Sequence, residues 1–205
     1  QLVQDHPYYQ LKLSEKRKKA SAQFEIQVSK ELEFLDMPYV KFKTLFQTAP
    51  LSASGTDAVC FLISANVGED LKPVAKIASG GELSRIMLSF KSVLSDKDGI
   101  DTLIFDEIDS GVSGKAALKV GQKLKAASKN RQVICVTHLS QIAAFADTHF
   151  LTEKKTEGNR TQTFVSPLDF EGRKRELARI TGGGEITDNQ LKNAEELLEY
   201  GRNNS

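Results

Sequence analysis

Two adjacent carboxylates, Asp106 and Glu107, end the apolar run Thr102-Leu103-Ile104-Phe105. A β-branched and aromatic run of this kind reads as a strand buried on both faces of a parallel sheet. Unpartnered ionised carboxylates are costly to bury, so acids at such a position belong at the strand's mouth, facing a cation or a substrate. The chemistry this suits is attack of water on a phosphoryl group. Asp106 would hold Mg²⁺ directly or through water, and Glu107 would polarise the attacking water. Taken alone, the same residues also fit a strand running into an acidic turn.

Two further segments carry compatible chemistry. Upstream, Ser79-Gly80-Gly81-Glu82 precedes a helical pattern in which Leu83, Ile86, Met87, Phe90 and Leu94 share one face. Ser79 and Glu82 have capping-box spacing, which puts the helix start at the two glycines. Glycines in a first turn weaken a helix, but they bare backbone N–H groups at the positive end of its dipole. That is an anion site suited to a terminal phosphate. Downstream, Arg131-Gln132-Val133-Ile134-Cys135-Val136-Thr137 is a second apolar strand, ending on His138. Right-handed crossovers bring the ends of successive parallel strands side by side, so His138 is expected beside Asp106 and Glu107. An imidazole there could bond a phosphate or the attacking water. A satisfied structural histidine is the plainer alternative.

In this order the motifs resemble the C-terminal lobe of ATP-binding-cassette ATPases. Ser79-Gly80-Gly81-Glu82 matches the signature motif, Asp106-Glu107 the Walker B pair and His138 the switch histidine. Glu82, where transporters usually have glutamine, points to the chromosome-maintenance (SMC-like) and repair branch. The segments GEDLKPVAKIASGGELSRIMLSFKSVL, TLIFDEIDSGVSG and VTHLSQIAAFAD are similar to the bacterial RecN-like repair family, over about residues 13–200. The resemblance implies nucleotide contacts from Ser79, Gly80, Gly81 and Glu82, and from Asp109, Ser110 and Gly111 in the D-loop. It implies Mg²⁺ on Asp106, catalytic roles for Glu107 and His138, and ATP as cofactor. One departure is Ser113, which replaces the usual D-loop aspartate.

The phosphate-cradling pattern G-x-x-x-x-G-K-[ST] does not occur in the 205 residues. In the RecN-like family that loop lies in an N-terminal lobe, beyond a long coiled coil. The chain therefore reads as the second half of a split ATPase head, inactive alone. The resemblance further implies the N-terminal lobe of the same protein as a partner, a homodimer with ATP sandwiched between heads, and DNA ends or single strands. It also implies a cytoplasmic, nucleoid-associated location. A related chromosome-maintenance or transporter ATPase, or an ATP-gated dimerisation module without catalysis, are the alternatives; the helical arm argues against a transporter.

The elements that must position these groups are legible along the chain. Residues 11–36 form a charged helix with Leu13, Ala20, Phe24, Val28, Leu32 and Leu35 on a coiled-coil-like stripe, ended by Met37-Pro38. Its basic run, Lys16 to Lys19, reads as a solvated face, with DNA contact as the alternative. Strands are expected at 39–46 and 57–64, with a polar connection between them. Arg85 is either a surface arginine or a coupler between the signature and the arm. Helix and strand then alternate through residue 146, implying a parallel sheet with covering helices. A hairpin turning at Glu157-Gly158-Asn159 follows, then helices at 171–180 and 188–200 joined by a flexible Gly182-Gly183-Gly184. A Thr187/Gln190 capping box starts the last helix. The expected fold is thus α/β: the C-terminal lobe of an SMC-type ATPase head, mostly parallel sheet with covering helices, over 37–205, with the end of a coiled-coil arm over 1–36.

Composition is that of an intracellular globular piece. Net charge is +1, and 40% of residues are hydrophobic. No apolar run reaches the roughly 18–20 residues of a membrane span. Cys60 and Cys135 lack C-x-x-C spacing and read as buried reduced thiols.

Overall fold

The computed structural model describes residues 6–76, 80–94, 97–157 and 160–204. The chain divides into two compact units, Gln1–Leu94 and Ser95–Ser205.

The first unit is built on one long helix, α1 (His6–Phe34). It ends in a Schellman motif: Asp36 is left-handed at φ 59°, Met37 N donates to Leu32 O at 2.9 Å and Asp36 N to Glu33 O at 3.1 Å. The stop thus precedes Pro38 and is made by backbone bonds rather than by the proline. Strands β1 (Lys41–Ser52) and β2 (Gly55–Ser64) pair antiparallel, and the short β3 (Lys72–Pro73) lines the other side of β2. The polar connection expected between the strands is strand itself. The ladder runs to Thr48↔Asp57, is interrupted by an irregularity, and resumes at Ser52↔Gly55, where Gly55 at φ 96° closes the turn.

Helix α2 (Gly80–Val93) begins at the two glycines as expected. Its apolar face joins Val28, Leu32, Val40, Phe42, Ile63, Ile86 and Phe90 in one core. Phe24, Phe42, Phe61 and Phe90 form an aromatic knot, with Phe42 and Phe90 centroids 5.0 Å apart. Two polar clamps fasten α1 to the sheet. Asp57 accepts from Ser14 Oγ at 2.8 Å and Arg17 at 3.0 Å. Glu25 accepts from Thr44 N at 2.7 Å and Lys43 Nζ at 3.0 Å, covering the edge strand β1. Burial would raise the Glu25 pKa, but these bonds hold it below the ordinary carboxylate range.

The second unit carries the parallel pair, β4 (Thr102–Phe105) and β5 (Gln132–Cys135), in register from Thr102↔Gln132 to Phe105↔Cys135. The nearly buried Arg131 fixes the far end of the pair through Asp98 at 3.2 Å. Between the strands runs α3 (Gly114–Ala127), burying Ala117, Val120 and Leu124 and contacting β5. Leu103 and Phe105 are also buried. The opposite face is open: Ile104 is 70% exposed and Val136 60%, with Ile134 also exposed. Burial on both faces, expected from the apolar run, is therefore present on one face only among the described residues. On the inward side Leu103 and Phe105 are buried, and Val133 and Cys135 are half-buried.

After the pair come the short α4 (Ser140–Ala143), the antiparallel hairpin β6 (His149–Glu157) and β7 (Arg160–Leu168), and two helices, α5 (Phe170–Gly182) and α6 (Asp188–Asn203). The turn expected at Gly158-Asn159 lies outside the described residues. Gly183, expected as part of a flexible link, is the left-handed cap of α5, its N–H donating to Arg179 O. The Thr187/Gln190 capping box is present, at 3.3 and 2.8 Å. Leu177, Ala178, Ala194 and Leu198 form the core between α4, α5 and α6. Arg173 donates to the carbonyls of Ala143, Ala144 and Ala146, and Thr181 Oγ1 to Ser140 Oγ, so α5 grips both ends of α4. Among the described residues no helix is long and apolar enough to cross a membrane.

Candidate functional site

Strand β4 stops at Phe105, which puts Asp106 and Glu107 at its mouth, both exposed. Asp106 Oδ1 accepts from Glu107 N at 2.9 Å. Glu107 has φ 56°, a left-handed conformation rare for a residue with a side chain. Such strain costs about 1–3 kcal/mol and clusters where a side chain must be aimed. Two turns follow, Ser110 N to Glu107 O at 3.0 Å and Val112 N to Asp109 O at 3.3 Å. Gly111 sits between them at φ 75°, where a Cβ is disfavoured.

Strand β5 brings its own end alongside. Val136 N donates to Phe105 O at 2.9 Å, extending the ladder by one residue. Thr137 and His138 then lie over the D-loop segment. Asp109, only 4% exposed, accepts two hydrogen bonds on Oδ2, from Thr137 Oγ1 at 2.6 Å and His138 N at 2.8 Å, and His138 Nδ1 lies 2.9 Å from the same oxygen. Thr137 Oγ1 in turn accepts from Leu139 N at 3.1 Å. The His138 side chain is 77% exposed.

Asp106, Glu107, Asp109, Ser110, Gly111, Thr137 and His138 all border one open pocket of about 560 Å³. Parallel pairing of β4 with β5 thus brings Asp106, Glu107 and His138 together. Its lining holds three carboxylates and an imidazole, and no lysine or arginine among the described residues. Their field is felt nearby: burial first, then Asp109 and Asp106, pushes the Cys135 thiol up to about 12. A pocket this rich in oxygen donors suits a hard cation such as Mg²⁺, which takes one or two carboxylates and leaves positions for phosphate and water.

The signature residues belong to the other unit. Gly80 and Gly81 are the first two residues of α2, with Glu82 in its first turn. Ser79, and with it the capping box to Glu82, lies outside the described residues. Arg85 is buried at 6% exposure rather than a surface arginine; burial lowers its pKa and Glu82 partly offsets this. Ser113 is the N-cap residue of α3 and makes no side-chain capping bond. Sequence reasoning missed Thr137, whose hydroxyl joins Asp109 to the turn after β5. The one signal was its place immediately before His138.

Comparison with known proteins now has a geometry to rest on. The chain is 46% identical over 152 residues to the DNA repair protein RecN of Bacillus subtilis (strain 168), covering 74% of this chain and 26% of that one. It is 43% identical over 196 residues to the RecN of Treponema pallidum (strain Nichols), covering 92% and 34%. The chain spans about a quarter to a third of the length of the curated relatives it matches. Among solved structures it is similar to the Smc head domain with a coiled coil and joint from Pyrococcus yayanosii, with TM-score 0.53, 18% identity and coverage of 91% of this chain and 30% of that one. It is equally similar, at TM-score 0.53 and 20% identity, to the Pyrococcus furiosus Smc head domain bound to the C-terminal domain of ScpA, covering 81% and 39%. These likenesses establish an α/β fold of the Smc head type. No protein-family model matches the chain.

Proposed function

Since the chain belongs to the RecN family, over about a third of the length of its members, we propose that it is the C-terminal lobe of a DNA double-strand-break repair ATPase head. On this reading residues 1–36 are the end of the coiled-coil arm and 37–205 the lobe. The N-terminal lobe of the same protein supplies the phosphate-cradling loop missing from these 205 residues. The observation that carries the reading is that Asp106, Glu107 and His138 border one pocket.

Bound ATP·Mg²⁺ supplies an electrophilic γ-phosphorus and a partly neutralised triphosphate. Asp106, whose carboxylate stands at the strand mouth, would hold the cation. Glu107 accepts a hydrogen bond, and then a proton, from the water aimed at that phosphorus. His138 turns its exposed ring into the same volume, where Nε2 meets the phosphate or the water. In a second copy of the protein, Ser79, Gly80, Gly81 and Glu82 close on the same nucleotide with a helix N-terminus. ATP binding thereby joins two heads, and hydrolysis parts them. DNA, as ends or single strands, is the substrate that the joined heads organise, in the cytoplasm on the nucleoid.

The test is Glu107→Gln in the full-length protein. Nucleotide binding should persist, the ATP-bound dimer should accumulate, and hydrolysis should fall about 10²–10⁴-fold, the usual worth of a general base. Unchanged turnover would remove Glu107 from the mechanism. This chain alone should hydrolyse little ATP, whereas co-expression with the matching N-terminal half should restore a DNA-stimulated ATPase. If the rejoined halves bind ATP and dimerise but never hydrolyse it, the module gates assembly without catalysis.

A further inference from the structure

The acid most firmly committed at this site is Asp109. Its carboxylate is 4% exposed; one oxygen accepts from the Thr137 hydroxyl at 2.6 Å and the His138 backbone N–H at 2.8 Å, and the His138 ring nitrogen Nδ1 stands 2.9 Å from it. An ionised carboxylate only accepts hydrogen bonds, so the ring nitrogen facing it, Nδ1, must carry the proton. In the neutral ring Nε2 then has a bare lone pair. The side chain is 77% exposed, so it is held by this anchor rather than by packing. The backbone bond from His138 N fixes the same residue a second time.

We propose that Asp109 is a positioning residue for His138 rather than a nucleotide contact. Its buried carboxylate sets the ring's orientation and tautomer, and so decides what Nε2 can do. In its neutral form His138 accepts a hydrogen bond at Nε2, which suits the attacking water. A phosphate oxygen, being an acceptor itself, is met at Nε2 only by the imidazolium. The arrangement follows the general logic in which a carboxylate orients a histidine for work at its other nitrogen. Thr137 is the second part of the device, since its hydroxyl ties the same oxygen to the Leu139 amide. The proposal rests on His138 acting at the ATP site.

The test uses the full-length protein with Asp109→Asn, His138→Ala and the double variant. Asp109→Asn keeps the shape but removes the charge that holds Nδ1–H. It should lower kcat about 10–100-fold, in the range typical of residues that orient a working histidine, with little change in KM for ATP. Because Asp109 works through the histidine, the double variant should be no slower than His138→Ala alone. Selective ¹⁵N-histidine labelling should show His138 as the Nδ1–H form in the parent protein and a shift toward Nε2–H in Asp109→Asn. Additive losses, a rise in KM without loss of kcat, or an Nε2–H signature in the parent would each overturn the proposal. Should Asp109→Asn fold poorly, Thr137→Val replaces it; a several-fold loss of kcat is expected that vanishes in the His138→Ala background, and a loss that persists there would overturn it. Glu107→Gln separates the two readings. If it stops turnover while Asp109→Asn has no effect, the positioning role fails and the ATPase site stands. If neither affects turnover, the site itself is wrong.

Discussion

The two units present their chemistry in opposite ways. The first offers backbone: Gly80 and Gly81 open a helix whose Ile86 and Phe90 are sunk in an aromatic core. The second offers side chains: two acids and an imidazole at the ends of a parallel pair that is bare on one face. On the proposed reading, an anion sensor made of amides needs only that its helix stay still, and packing holds α2. A site made of titratable groups needs each of them aimed. The second unit aims them with a left-handed Glu107 and a buried Asp109. The first unit should therefore be sensitive to lost volume, and the second to changes in charge and contact geometry.

The largest effect should come from Phe42→Ala. Phe42 is 2% exposed and touches three other rings, so its loss should cost about 3–5 kcal/mol in urea denaturation. A cost under 1 kcal/mol would deny that the knot organises this unit. Next, the Cys135 thiol, pushed up to about 12, should be alkylated about a thousandfold more slowly at neutral pH than an ordinary cysteine. Rapid labelling in the folded protein would contradict the half-buried, acid-flanked setting. Gly201→Ala comes third. A Cβ there would lie 2.5 Å from the backbone oxygen of Ala144, so about 1–3 kcal/mol should be lost although alanine favours helix.

Acid offers a gentler probe of the arm. The Ser14 hydroxyl and then Arg17 hold Asp57 below the usual carboxylate range. The clamp is thus fully present at neutral pH and fades as pH falls through that depressed value. Asp57→Asn should flatten this acid dependence of unfolding, and an unchanged profile would show the clamp to be idle. The smallest effect belongs to Ile104→Ser. On this chain alone it should shift stability by no more than about 0.5 kcal/mol, as for an ordinary surface site. A large loss would mean that the outer face of the parallel pair is covered after all.

Features carried by local pattern were legible beforehand. The start of α2 at Gly80, the Thr187/Gln190 box and the two apolar strands all follow from spacing within a few residues. The meeting of Asp106, Glu107 and His138 was legible too, because crossover handedness leaves few alternatives. What escaped depends on partners far along the chain. The hydrogen bonds of Asp109 come from donors 28 and 29 residues away. The exposed Ile104 looked buried because an apolar run records what a residue prefers, not which neighbours are present. β1 runs on past Phe46 because Gln47, Thr48 and Ser52 still pair with β2, whatever their outward side chains are. Gly183 was misjudged as slack; a left-handed cap and a loose link use the same residue.

Helix α4 has four residues, too few to stand without help. Arg173 and Thr181 splint it, and Gly201 of α6 presses against its exit at Ala144. His138 lies just ahead of this short helix, so α5 and α6 brace the segment that follows the imidazole. On the proposed ATPase reading, a cut or a bend in that tail should alter turnover without touching the nucleotide.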